Sequence, residues 1–228
     1  MHMNHKSQGN VLFLILIAVA LFAALSYAVT QSTRGGGNAG DEKTGIHAAQ
    51  IIQYAGSIAT AIQRIQVSGR YTINEVDFQT PGSNNTNCTV DDCRVFNSNR
   101  YGVPYVPPKI EWLTPDNGDA YWGEYRAANF PVDGVGITGG AGDSELAWRL
   151  AAVKEDICIA INEKLGVTSG GVSPPVAVNG INLFSWYVGG TVGGNILVDA
   201  GGLLSGQQTG CYATSGGLYV FYHVLFAR

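Results

Sequence analysis

The sequence predicts an α+β protein: an N-terminal membrane-spanning helix, then an amphipathic helix laid on an antiparallel β-sheet. Three observations carry this expectation. Residues 11–29 run for 19 positions without a charged side chain. Apolar residues then recur at helical spacing through residues 48–65. The chain closes on residues 218–226, apolar on both alternating faces, as a buried central strand would be.

Composition sets the limits. Of 228 residues, 46% are hydrophobic and only 13% charged, against roughly 25% charged in an ordinary soluble domain. The run at 11–29 accounts for part of that shortfall. The remaining stretch of about 190 residues is long enough to bury a core. The net charge is −4, and the 13 Lys and Arg residues are scattered. A nucleic-acid partner is not expected, because phosphate binding needs clustered cations. The 31 glycines fall in turn-like groups with no collagen period.

Residues 1–9 are polar, with one firm positive charge at Lys6. Residues 10–34 read as the first helix. Its 19-residue apolar part would span ~28 Å, close to the ~30 Å of a bilayer's hydrocarbon core. A lone segment there must pair every backbone group internally, so it must be helical. Lys6 and the amino terminus favour the cytoplasmic side, which puts the rest of the chain outside. Three readings compete for this segment. A secretory signal cleaved near Ser26-Tyr27-Ala28 is one, although the apolar run exceeds the usual signal length. An uncleaved anchor is the second. The third is a leader cut on the cytoplasmic side, ahead of the apolar run.

A glycine-rich hinge is expected over residues 35–43, ahead of a globular domain over 44–228. Asp41, Glu42 and Thr44 suit the start of a second helix. Ala48, Ile51, Ala55, Ile58, Ile62 and Ile65 form one stripe on it, and Gln53, Ser57, Thr60 and Arg64 lie opposite. Gly69 is expected to end it. Residues 71–78 alternate like a strand, residues 80–108 read as an exposed loop, and short strands are expected at 121–125 and 132–137. A third helix is expected from a cap at Asp143 or Ser144 to Gly166, with Leu146, Leu150, Val153, Ile157 and Ile161 on its buried face. Short strands at 176–178 and 183–188 precede the closing strand.

The four cysteines, Cys88, Cys93, Cys158 and Cys211, follow the apolar segment, and their even number suits an oxidising compartment. Three pairings exist. Cys88–Cys93 and Cys158–Cys211 are favoured, the first closing a tight loop and the second joining the third helix to the approach of the last strand. Zinc is the weaker reading, because no histidine lies near these cysteines. Of His2, His5, His47 and His223, the last reads as a satisfied strand histidine rather than a general base. No nucleophile-elbow, zincin or phosphate-loop pattern occurs, so neither an enzyme nor a cofactor is expected. Asp116, Asp119 and Glu124 offer hard oxygen ligands to calcium, but Asx-turn chemistry is the stronger reading of that stretch.

Lys6-Ser7-Gln8-Gly9, followed directly by Asn10 and a long apolar helix, resembles the leader of type IV pilins and type II secretion pseudopilins. The resemblance is specific over about residues 6–34 and architectural beyond. It implies cleavage between Gly9 and Asn10 by prepilin peptidase and methylation of the new terminus. It also implies a helix held in the inner membrane that packs against other pilin or pseudopilin subunits. The C-terminal domain would be periplasmic or carried on an extracellular filament. Two positions depart from the pattern: Leu14 stands where the family usually has Glu, and Asn10 where it has Phe or Met. The missing Glu favours a minor, tip or divergent subunit. The alternative is a single-pass, membrane-anchored periplasmic binding or adhesion protein that does not assemble.

Overall fold

Among the described residues, three α-helices and one antiparallel four-stranded sheet form. The order is α1 (Asn10–Arg34), α2 (Ala39–Val67), β1 (Tyr125–Asn129), β2 (Leu146–Ala151), α3 (Glu155–Leu165), β3 (Thr209–Ala213) and β4 (Tyr219–Phe226). The computed structural model describes residues 10–34, 39–79, 85–97, 100–116, 118, 122–129, 131–136, 145–178, 187 and 196–227. The chain divides into two compact units, Met1–Lys43 and Thr44–Arg228.

In the first unit, α1 exposes its large apolar side chains: Phe13 is 61% exposed, Leu21 66% and Phe22 72%. Among the described residues, no helix is long and apolar enough to cross a membrane. The side chains described for α1 run from residue 13 to residue 27, only ~22 Å of helix.

The second unit is organised by α2. Ala48, Ile51, Ala55, Ile58, Ile62 and Ile65 are all fully buried, while Gln53, Thr60 and Arg64 face solvent. The helix begins at Ala39, so residues 39–43 of the expected hinge are helical, with Asp41 and Glu42 in the first turn where the helix dipole favours them. It ends at Val67. Gly69 serves by close approach rather than by a left-handed conformation, since a Cβ there would come within 2.5 Å of the Ile65 carbonyl oxygen. Arg70, at φ 60, takes the left-handed position instead.

The sheet order is β1-β2-β4-β3. As expected, β4 is central, paired to β2 on one side and β3 on the other. Phe221 and Leu225 of β4, Trp148 and Leu150 of β2 and Tyr125 of β1 join the α2 stripe in one core. Trp148 is its hub, stacked on Phe78 at 5.7 Å and on Tyr125 at 5.2 Å. Val220, Tyr222 and Val224 face the other way and pack with Val132, Leu197 and Leu204 from the loops. Both faces of the sheet are therefore covered.

Several expectations are corrected. Residues 146–151 form β2, not the first half of a helix. Leu146 and Leu150 fit helical spacing, but Ala147, Trp148 and Ala151 make the same segment apolar on both strand faces. Pairing to β1 and β4 decides between the two periods. Ala152, at φ 62, then breaks the chain direction, and α3 starts after Lys154 rather than at Asp143 or Ser144, which lie outside the described residues. Gly166, at φ 72, ends α3 in the left-handed conformation, as the sequence indicated. The 71–78 segment is not a strand. Thr72 donates from its backbone N–H (2.8 Å) and its hydroxyl (2.7 Å) to the Glu75 carboxylate, closing a 3₁₀ turn over Ile73–Glu75. Only Asp77 forms a bridge there, to Arg94. The 80–108 segment is not wholly an exposed loop, because Cys93 and Val95 are fully buried. The strand expected at 121–125 is β1, displaced to Tyr125–Asn129. Among the described residues of 132–137 only Val132 bridges, to Leu197, and at 176–178 Val176 and Ala177 bridge to Ala213 and Asp199. The expected strand at 183–188 lies outside the described residues except for Tyr187.

Both favoured disulfides are present, Cys88–Cys93 and Cys158–Cys211. The second is reinforced one helical turn on. The Asn162 side chain donates to the Cys211 carbonyl at 2.8 Å and accepts from the Cys211 N–H at 2.9 Å. The amide thus stands in for a neighbouring strand beside β3.

Two outcomes follow for chemical denaturation monitored by circular dichroism. Replacing Cys158 and Cys211 together by serine frees a cross-link across 53 residues and should cost about 4 kcal/mol; a loss under about 1 kcal/mol contradicts the joint described here. Asn162→Ala leaves both backbone groups of a buried residue unpaired and should cost about 2–4 kcal/mol, whereas Asn162→Asp should restore only the acceptor half.

Candidate functional surfaces

The residues singled out by sequence fall in several places rather than one. Gly9 lies outside the described residues, and Asn10 begins α1. Leu14 projects from α1 with 58% exposure. The cysteines are all paired, so no thiolate is offered to a metal.

The calcium candidates are not assembled. Asp116 is exposed, and its carboxylate accepts the Gly118 N–H at 2.8 Å, an Asx turn. Glu124 is tied to Arg126, whose Nε lies 3.1 Å from Oε2. Asp119 lies outside the described residues. Among the described residues, no group of three His, Cys, Asp or Glu side chains is placed to hold a metal ion.

The two described histidines sit in structural settings. His47 is buried near the start of α2, with Nε2 3.2 Å from a Glu111 carboxylate oxygen and its ring 6.4 Å from that of Trp112. These contacts belong to a strap, residues 104–112, that runs back along α2. Val106 donates its N–H to the Tyr54 hydroxyl at 2.9 Å, and Lys109 donates to Gln50 at 3.1 Å. Burial pushes the Tyr54 hydroxyl up to about 12, so it stays protonated at neutral pH. His223 is half-buried on β4, and its Nδ1 lies 2.6 Å from the hydroxyl of Thr209, its cross-strand partner. Burial lowers its proton affinity.

Beside His223 a groove of about 470 Å³ opens between the later turns of α2 and the end of β4. Gln63 and Gln66 line it from the helix, His223 from β4 and Gln208 from just before β3, and Leu225 and Phe226 supply apolar surface. Nothing in the sequence points to it. Gln63 and Gln66 read as an ordinary solvated helix face, and Gln208 stands 142 residues further along the chain than Gln66.

No protein-family model, curated protein or solved structure matches the chain.

The His223 environment has a measurable consequence. Its folded-state proton affinity is below the unfolded value, which lies near pH 6.5. The unfolded chain therefore takes up the proton first as pH falls. The associated stability is complete above about pH 6.5 and declines below it, with a slope of at most about 1.4 kcal/mol per pH unit. Denaturation at pH 7.5 and 5.5 should show a smaller loss in His223→Gln than in the unaltered protein. Equal losses would remove the imidazole from this account.

Proposed function

We propose that this chain is a non-enzymatic, single-pass subunit of the pilin or pseudopilin kind, anchored in the inner membrane and built into a pilus or secretion-type filament. The observation that carries the reading is the 19-residue uncharged run directly after Lys6-Ser7-Gln8-Gly9. As part of α1 it supplies ~28 Å of apolar helix. The described part of that helix exposes phenylalanine, leucine and isoleucine at 40–72%. Water penalises such a surface, and contiguous apolar patches beyond a few hundred Å² mark association with lipid or protein. Lipid, or the same helix of neighbouring copies, is the surrounding that removes the penalty.

The second unit supports the reading by architecture. An amphipathic helix presses a single apolar stripe onto an antiparallel sheet whose central strand ends the chain. Its two disulfides suit an oxidising, extracytoplasmic location. On this reading prepilin peptidase removes residues 1–9, and the apolar helix remains attached to the head.

N-terminal mass spectrometry of the protein purified from membranes tests this. The expected chain starts at Asn10, methylated, and Gly9→Val should leave the leader attached. A chain starting at Val29 would make the segment a secretory signal. An intact leader in the unaltered protein would make it a plain anchor. Either result removes the processed-subunit reading.

A further inference from the structure

The groove between α2 and β4 has a lining unlike the rest of the surface. Gln63, Gln66 and Gln208 present three side-chain amides, and His223 presents an imidazole. Among the described residues, no charged side chain lines the groove. None of these amides has a hydrogen-bond partner among the described residues, and the imidazole is held only through Nδ1, by Thr209. Its Nε2 has no hydrogen-bond partner among the described residues. Burial favours the neutral form of His223, so the described polar lining is uncharged at neutral pH. Phe226 and Leu225 contribute an apolar wall.

These properties select a ligand class. An anion or cation would give up its hydration without meeting an opposite charge. A purely apolar ligand would strip water from three carboxamides and gain nothing in return. An extended peptide recognised by strand addition needs a free sheet edge. Here β4 is paired to β2 as far as Phe226 and bonded to β3 and Gln208 as far as Val224. Among the described residues, only 225–227 lack a strand partner on that side. A neutral saccharide meets every condition. Its hydroxyls donate and accept at once, matching the adjacent C=O and NH₂ of each carboxamide. Its C–H face rests on an aromatic or aliphatic wall. The groove, at about 470 Å³, falls within the ~300–1,000 Å³ of small-molecule sites.

We infer that the Gln63–Gln66–Gln208–His223 groove binds the end of an uncharged oligosaccharide. The inference stands whether or not the chain is a filament subunit, because it uses only residues of the second unit.

Isothermal titration of the full-length protein tests it, in a detergent without a sugar headgroup. The probes are maltotriose, cellotriose and tri-N-acetylchitotriose, and the amide-bearing sugar doubles as a probe of carboxamide pairing. At least one should bind with Kd about 1 mM or tighter. Gln63→Ala combined with Gln208→Ala should weaken it at least about tenfold. Gln53→Ala, an exposed glutamine of the same helix outside the groove, should change it by less than about twofold. The bound sugar should also move the His223 imidazole resonances. Failure of all three sugars to bind at about 20 mM overturns the inference. So does binding that survives the double variant, or binding of tetra-alanine in place of the sugars. The altered glutamines are surface residues, and retained thermal unfolding shows that the fold is intact.

Discussion

The stripe on α2 must be kept from water, and the rest of the second unit is arranged around that requirement. An isolated helix of this composition is marginal in water, because nucleation is unfavourable and propagation is only weakly favourable. Four fully buried isoleucines change the balance. Each contributes about 1.5–3 kcal/mol relative to exposure, more than the ~0.5–1 kcal/mol of side-chain entropy lost on ordering it. The helix is therefore stable where the sheet covers it. The sheet in turn needs large side chains reaching up to the helix, and Trp148 meets that need at the centre. Its indole stacks on Phe78 and Tyr125 and touches Phe96 at 5.5 Å between ring centroids. Side chains from β1 and from two loop segments thus converge on one ring.

Covering the second face of the sheet is a different problem, since among the described residues only Leu165, at the end of α3, reaches it from a helix. Loop residues Val132, Leu197 and Leu204 do it instead. Loops cover a sheet only if they are held. The Asp199 carboxylate, itself buried, accepts the N–H groups of Gly201, Leu203 and Leu204 and fixes that turn. On the opposite face, α3 is held by covalent and hydrogen-bonded contacts to the single residue Cys211. A short helix of 11 residues that would be marginal alone becomes a fixed part of the core.

What the sequence disclosed follows from how local each signal is. The α2 stripe, the breadth of the closing strand and the Gly166 stop were legible, because each is written in a continuous run with one dominant period. The disulfide partners were legible from loop closure and from their placement on predicted elements. The segment at 146–151 was not, because its apolar residues satisfy a helical and a doubly buried strand pattern together. Only the pairing of Trp148 with Ala127 and His223 resolves the ambiguity, and those partners are remote in sequence. The 71–78 segment went the other way: alternation favoured a strand, but the short Thr72–Glu75 contact is local and prevailed. The calcium candidates show why proximity in sequence is a poor guide to a site. Glu124 is drawn to Arg126 two residues on, away from Asp116. The groove was invisible because its polar lining comes from α2 and from the β3–β4 end of the sheet, and none of its members departs from ordinary surface composition.

The absence of an acidic residue at position 14 has a physical consequence on the proposed reading. A carboxylate within an apolar helix is costly in hydrocarbon and must find a partner; the resemblance to pilins implies that this partner is a neighbour's amino terminus. Leu14 removes both the cost and the tie. The helix would then be as content in lipid as beside its neighbours, since lipid tails are as apolar as leucine and supply no hydrophobic drive for helix association. Any preference for the assembled state has to come from close packing of small residues or from contacts between heads. Ala18, Ala20, Ala23, Ala24 and Ser26 lie within the apolar run and allow backbones to approach. Such packing is individually weak and depends on many matched contacts. A subunit that relies on it fits a position where partners are already in place, at a tip or junction, better than a repeating position that must recruit its own neighbours.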